Sequence, residues 1–207
     1  MIMNWKYNHP LKNGFTFLVC LFILVGTSVL LIWDKSTTFL LLNQQHSFIG
    51  DVALKYLTHV GDGLFMIGLG IVLLGLGKRK LGVLMLLTFL LSGLFVQLIK
   101  HTNPSPRPGL YFSKSEHIHC VDGNLLKGSN SFPSGHTTTA FALFALLAFA
   151  TRNTFLQIAC FLGALSIGYS RIYLGQHFLA DVLTGAIVGT ATAYLLTWLL
   201  RNKEWDS

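Results

Sequence analysis

Three stretches of this chain are too long and too free of charge to belong to an ordinary soluble fold. Gly14 to Trp33 is twenty residues without a charged side chain, Leu81 to Ile99 is nineteen, and Phe178 to Leu200 is broken only by Asp181. A helix needs roughly 20 apolar residues to cross the hydrocarbon core of a bilayer. The rest of the composition agrees: 11% of the 207 residues are charged and 52% are hydrophobic, whereas soluble domains carry about 25% charged residues. The chain is therefore expected to be an integral membrane protein whose partner is the bilayer, folded as one domain over 1–207. Lys6 and Lys12 precede the first run as they would in a secretory signal. Twenty residues exceed a signal's apolar region, and no small-x-small cleavage site follows Trp33, so the run reads as a retained span.

The same patterning predicts an all-α, polytopic bundle of six transmembrane helices at about 14–33, 57–77, 81–99, 137–151, 155–170 and 178–200. Residues 38–49 are too short to cross and read as a helical interfacial segment. Lys and Arg in the loops set the orientation. With the N-terminus inside, Lys6, Lys12, Lys78, Arg79, Lys80, Arg152, Arg201 and Lys203 are cytoplasmic, against Lys35, Lys55, Lys114 and Lys127 outside once the outer motif cations Lys100, Arg107 and Arg171 are set aside. Both termini are thus expected in the cytoplasm and loop 101–135 outside. The net charge of +7 is spread over loops rather than gathered on one basic face, which argues against nucleic acid as a partner.

Three polar stretches remain, and this topology brings all of them to the outer side. Lys100 and Arg107 end and follow the third span. Pro133-Ser134-Gly135-His136 leads into the fourth. Ser170-Arg171 closes the fifth, with His177 and Asp181 opening the sixth. Ionisable residues at such positions are costly and by default functional candidates. His177 and Asp181 are four apart at a helix start and share a face, so the carboxylate can fix the imidazole tautomer and leave the other nitrogen as a nucleophile. A helix N-terminus with glycine admits an anion closely, Ser134 adds a hydroxyl donor, and His136 sits where it can protonate a leaving oxygen. Lys100, Arg107 and Arg171 would spread charge over phosphate oxygens. Each piece has a plainer reading alone: a helix-end His–Asp pair, a capping turn with Ser134 as the cap, a snorkelling lysine.

In their order and spacing these residues closely resemble the type 2 phosphatidic acid phosphatase superfamily, which also includes the vanadium haloperoxidases. The pattern K-x6-R-P, P-S-G-H and S-R-x5-H-x3-D is met by Lys100 to Pro108, Pro133 to His136, and Ser170 to Asp181 without departure. The resemblance covers about residues 55–200. It implies a six-helix fold and a phosphatase that uses no metal and no cofactor and works through a phosphohistidine. By the same resemblance His177 is the nucleophile, Asp181 its orienter and His136 the general acid, while Lys100, Arg107, Ser134, Gly135 and Arg171 bind phosphate. The spans argue against the soluble haloperoxidase branch. The expected substrate is a membrane lipid phosphate or diphosphate at the outer face of a bacterial inner membrane. Candidates are undecaprenyl diphosphate, phosphatidylglycerophosphate, phosphatidate and lipid A. The alternatives are a lipid-to-lipid phosphotransferase and a non-catalytic phosphate-binding carrier or scaffold.

Lesser features carry weaker expectations. Glu116-His117-Ile118-His119-Cys120 looks like metal ligands, but its spacing fits no structural zinc pattern and a gate loop or solvated loop is preferred. His59 and Asp62 are expected to satisfy one another at a helix mouth. Gly185 and Gly189 form a G-x-x-x-G that favours close helix approach within the bundle. Cys20 and Cys160 fall in spans as packing residues, and Cys120 is expected to be a free thiol rather than half of a bridge.

Overall fold

The computed structural model describes residues 13–112, 118–121 and 128–203. Among these residues nine α-helices carry the fold: α1 (Gly14–Ile32), α2 (Lys35–Asn43), α3 (Phe48–Leu57), α4 (Gly63–Gly75), α5 (Arg79–Thr102), α6 (Pro108–Tyr111), α7 (Gly135–Phe149), α8 (Thr154–Tyr173) and α9 (Leu179–Leu199). A 3-10 turn, Thr58–Gly61, joins α3 to α4. No β-strand occurs among the described residues, where the only bridge pairs Ser105 with Asn130 in parallel sense.

Most helix starts are set by a short polar side chain that accepts from the first free amides. The Asn13 carboxamide oxygen accepts from Phe15 N at 2.9 Å, Asp34 from Ser36 N and Thr37 N at 2.8 and 2.9 Å, and Asn153 from Phe155 N at 2.9 Å. Asn13 also donates to Ala148 O at 2.9 Å, and Gln157 accepts from Gly14 N at 2.8 Å while donating to Thr151 O at 2.9 Å. These buried bonds lock the start of α1 onto the α7–α8 connection, beside a ring cluster in which Phe15 meets Phe141, Phe149 and Phe161.

Six spans are not confirmed. Four helices, α1, α5, α8 and α9, are long and apolar enough to cross, and a fifth span requires counting Phe48–Gly61 and Gly63–Gly75 together although they are bent by 56°. The second span is expected from residue 57, but its first residues form the 3-10 turn. The fourth is expected at 137–151, but α7 is 15 residues, about 22 Å at 1.5 Å per residue against a hydrocarbon core of about 30 Å. Helix α7 is apolar because protein surrounds it. Ala140, Phe141, Ala142, Ala145, Leu146 and Ala148 are buried against α5, α8 and α9, as expected of a helix hydrophobic all round. The segment expected at the interface resolves into α2 and α3, broken at residues 44–47.

Gly185 and Gly189 do what their spacing predicts inside the bundle. A Cβ on Gly185 would come within 2.8 Å of Ser134 O, and one on Gly189 would overlap Thr138 O. Helix α9 therefore lies backbone to backbone on the first turns of α7. Elsewhere an apolar cavity of about 610 Å³ opens among α1, α2, α8 and α9, lined by Phe22, Gly26, Trp33, Leu165 and Val182 among others. None of the residues expected to bind phosphate lines it.

This packing predicts a contrast between two glycines. Gly189→Ala should destabilise by about 1–3 kcal/mol through overpacking, read as a lower thermal midpoint of the detergent-solubilised protein. Gly68, with nothing within 4 Å of where a Cβ would stand, should accept Ala at no loss or gain about 0.5–1 kcal/mol from better helix propensity. Equal midpoints for the two variants would contradict the α7–α9 contact.

Candidate active site

The last turn of α8 decides where His177 goes. Leu174 ends the helix and Gly175 follows at φ +67°, a left-handed conformation that glycine adopts without a Cβ penalty. Gln176 N then donates to Arg171 O at 2.9 Å and Gly175 N to Ile172 O at 3.0 Å. This is the paired hydrogen bonding of a Schellman stop. His177 N also donates to Arg171 O, at 3.1 Å. The five residues between Arg171 and His177 are thus a helix end folded back on itself, and the imidazole returns beside the guanidinium.

Helix α9 starts two residues later, and Asp181 caps it by accepting from Phe178 N at 2.9 Å. The same oxygen, Oδ2, accepts the Ser131 hydroxyl at 2.5 Å and lies 3.4 Å from His177 Nδ1. Ser131 Oγ is itself 3.4 Å from Nδ1. With the proton on Nδ1 the imidazole donates to the carboxylate, and Nε2 keeps its lone pair. His177 and Asp181 are each 2% exposed. Burial chiefly pushes the His177 pKa from 6.5 down to about 4, with Asp181 pulling it up and Arg171 and Arg107 pushing it further down. The imidazole is therefore neutral at physiological pH.

Two loop segments bring in the other stretches. Ser105 N donates to Ser129 O at 2.9 Å, Arg107 N to Gly128 O at 2.8 Å, and Ser131 N to Ser105 O at 3.0 Å. The loop carrying Arg107 is thereby knitted to the segment that enters α7. Arg107 Nε donates to Asn130 Oδ1 at 3.0 Å, and Nη1 to Gln176 O at 3.4 Å. Arg171, 4% exposed, donates from Nη1 to Thr58 Oγ1 at 2.5 Å and from Nη2 to Gln176 Oε1. Lys100, in the last turn of α5, is within electrostatic reach of Arg107, Asp181 and Arg171.

At the start of α7 the capping reading of Ser134 is what the structure shows. Its Oγ accepts from Thr137 N at 3.4 Å and from Thr137 Oγ1 at 2.9 Å, while Ser134 N donates to Asp181 O at 3.1 Å. The cap leaves the Ser134 hydroxyl proton free to donate. Gly135 is the first residue of α7, and nothing lies within 4 Å of where a Cβ would be. His136, half-buried in the first turn, feels the charges of Arg171, Asp62, His177 and His59. All eight residues expected from the sequence therefore lie at one end of the bundle, around His177.

Three neighbours escape the sequence reading, Ser131, Asn130 and Gln176, and Thr58 reads only as a polar residue at the mouth of the expected second span. The only signal for the three is adjacency, since Ser131 precedes Pro133 by two residues and Gln176 precedes His177. Two lesser expectations take a definite form. The Asp62 side chain caps α4 by accepting from Leu64 N at 3.2 Å, and its main-chain N donates to His59 O at 3.0 Å. Glu116 and His117 lie outside the described residues, whereas His119 Nε2 donates to Asp51 Oδ1 at 2.7 Å and its ring stacks on His46 at 4.2 Å. His119 is also held to Asn43 through its backbone at 2.8 and 3.0 Å. These contacts make His119 a tie between loop and helices, and no group of three metal-ligating side chains is assembled among the described residues.

Comparison with known proteins gives the geometry its family. The family model of the PAP2 superfamily matches residues 81–205. The chain is 31% identical over 154 residues to phosphatidylglycerophosphatase B of Bacillus subtilis, covering 68% of this chain and 70% of that one. It is 41% identical over 73 residues to a lipid A 1-phosphatase of Porphyromonas gingivalis, a match to 34% of this chain and only 16% of that protein. The crystal structure of Aquifex aeolicus LpxE superposes with a TM-score of 0.70 at 28% identity, over 78% of this chain and 93% of that one. With four to five apolar helices of membrane-crossing character, the chain is an integral membrane protein that belongs to the PAP2 superfamily, and its lipid phosphatase relatives there place it among phosphoric monoester hydrolases.

Proposed function

We propose that this protein is a metal-independent lipid phosphatase acting through a phosphohistidine on His177. The observation that carries the reading is the placement of a buried, neutral imidazole, oriented by Asp181 and Ser131, next to Arg171 and Arg107. In the first step His177 Nε2 forms a bond to phosphorus as the bond to the leaving oxygen breaks, and His136 gives that oxygen its proton. In the second, His136 takes a proton from water, whose oxygen displaces Nε2 and releases inorganic phosphate. Lys100, Arg107 and Arg171 neutralise the non-bridging oxygens, with the amide-rich start of α7 and the Ser134 hydroxyl completing the cradle. Asp181 holds the proton on Nδ1 throughout.

The loop charges support an outward-facing site with both termini in the cytoplasm of a bacterial cell. The relatives are named for lipid A and for phosphatidylglycerophosphate. Those two substrates stand beside phosphatidate and undecaprenyl diphosphate as the class to test. Phosphate release by the purified protein across that panel identifies the substrate. Recovery of free phosphate in step with lipid consumed distinguishes hydrolysis from transfer to another lipid.

His177→Ala is expected to abolish turnover while leaving the thermal midpoint near that of the wild type, and to prevent trapping of an acid-labile phosphoprotein. Retention of most turnover would end the enzyme reading at this residue. Asp181→Asn should lower kcat about 10³-fold or more, since the wrong tautomer is then favoured. Vanadate should inhibit and a chelator should not.

The pH dependence follows from burial. Because the His177 pKa is lowered to about 4, the nucleophile is neutral above that value, and its activity is lost only as pH falls through about 4. A bound phosphate dianion favours the charged form of His136, so the general-acid limb belongs to kcat, whereas kcat/KM reports the free enzyme. The nucleophile limb of kcat/KM should lie near pH 4, not near the ordinary histidine value of 6.5. A limb at 6.5 that moves in Asp181→Asn would contradict the assignment.

A further inference from the structure

Gln176 is the residue at which the two arginines of the site meet. Its side-chain Oε1 accepts from Arg171 Nη2, and its main-chain oxygen accepts from Arg107 Nη1 at 3.4 Å. The helix stop fixes Gln176 in turn, because its own amide donates to Arg171 O at 2.9 Å. The residue thus holds Arg171 by backbone and side chain at once. Thr58, from the turn between α3 and α4, takes the other terminal nitrogen of Arg171 at 2.5 Å.

The donor count shows what this leaves. A guanidinium has five N–H groups, two on each terminal nitrogen. Thr58 and Gln176 each use one, so one N–H remains on each terminal nitrogen, in a fork whose plane is already set. Every partner named for the two arginines is neutral: a hydroxyl, two carboxamide oxygens and a carbonyl. A carboxylate in the same place would hold the guanidinium as well and would cancel the charge that an anion needs.

We infer that Gln176 is a positioning residue that fixes Arg171 beside Arg107 for phosphate binding while leaving both charges uncancelled. This rests on the reading that Lys100, Arg107 and Arg171 hold the phosphate. Gln176 touches the guanidinium groups and acts on the phosphate through them.

Two substitutions in the full-length, detergent-purified protein separate this role from a structural one. Gln176→Met keeps the length and removes the acceptor, and Gln176→Glu keeps shape and acceptor but adds charge. The backbone contact to Arg107 survives in both. For Gln176→Met, KM and the vanadate inhibition constant should rise about tenfold, the scale of one charge-assisted hydrogen bond, with kcat changing far less. For Gln176→Glu the thermal midpoint should match or exceed that of the wild type, because the carboxylate pairs with arginine, while vanadate affinity falls further than in the Met variant. A structural role reverses the order, with Glu behaving like wild type and Met worst, and that result overturns the inference. So does unchanged affinity in both variants when the wild type hydrolyses its lipid normally. A wild type that neither binds vanadate nor releases phosphate instead removes the functional reading, and this inference with it.

Discussion

A carboxylate buried beside a membrane-embedded bundle is costly unless its lone pairs are satisfied, and the way Asp181 is satisfied organises one whole end of this protein. Its Oδ2 accepts from Phe178 N and Ser131 Oγ and faces His177 Nδ1, while its main-chain oxygen accepts from Ser134 N. One residue thereby caps α9, orients the imidazole, anchors the segment before α7 and fixes the start of α7. Sequence stretches separated by more than forty residues are joined by the need to keep one carboxylate hydrogen-bonded.

The glycines of α9 make that junction possible. Ser134 can reach the Asp181 carbonyl only because α9 approaches α7 without side chains at Gly185 and Gly189, whose missing Cβ atoms leave room for Ser134 O and Thr138 O. Gly61 acts similarly on the opposite side, where a Cβ would meet His136 O at 2.9 Å. The turn that supplies Thr58 can then lie directly on the first turn of α7. Bonds to Arg171 and packing on His136 are therefore two ends of one short segment.

Much of this is legible in the sequence, and the reasons are specific. The charge-free runs locate α1, α5 and α9 because hydropathy reports the solvent directly. The motif residues are recognisable because their spacing is tied to helix ends. Helix α7 reads as an ordinary span because an apolar helix buried in protein and one exposed to lipid have the same composition. The break at Thr58–Gly61 is hidden because glycines there read equally well as continuous helix. Ser131 and Gln176 are invisible for another reason: each acts by holding a charged neighbour, and a lone hydroxyl or carboxamide in one sequence carries no mark of what it holds.

The Schellman stop after Tyr173 gives the spacing between Arg171 and His177 a different meaning. That interval reads as a signature of chemistry, yet its length is that of a helix terminating through a left-handed glycine, with Gln176 and His177 both returning to the Arg171 carbonyl. The count of residues is a property of the backbone stop, and the reacting groups inherit it. An insertion there would leave every side chain of the proposed site present and disconnect the cation from the imidazole, so the interval is as indispensable as the residues that bound it.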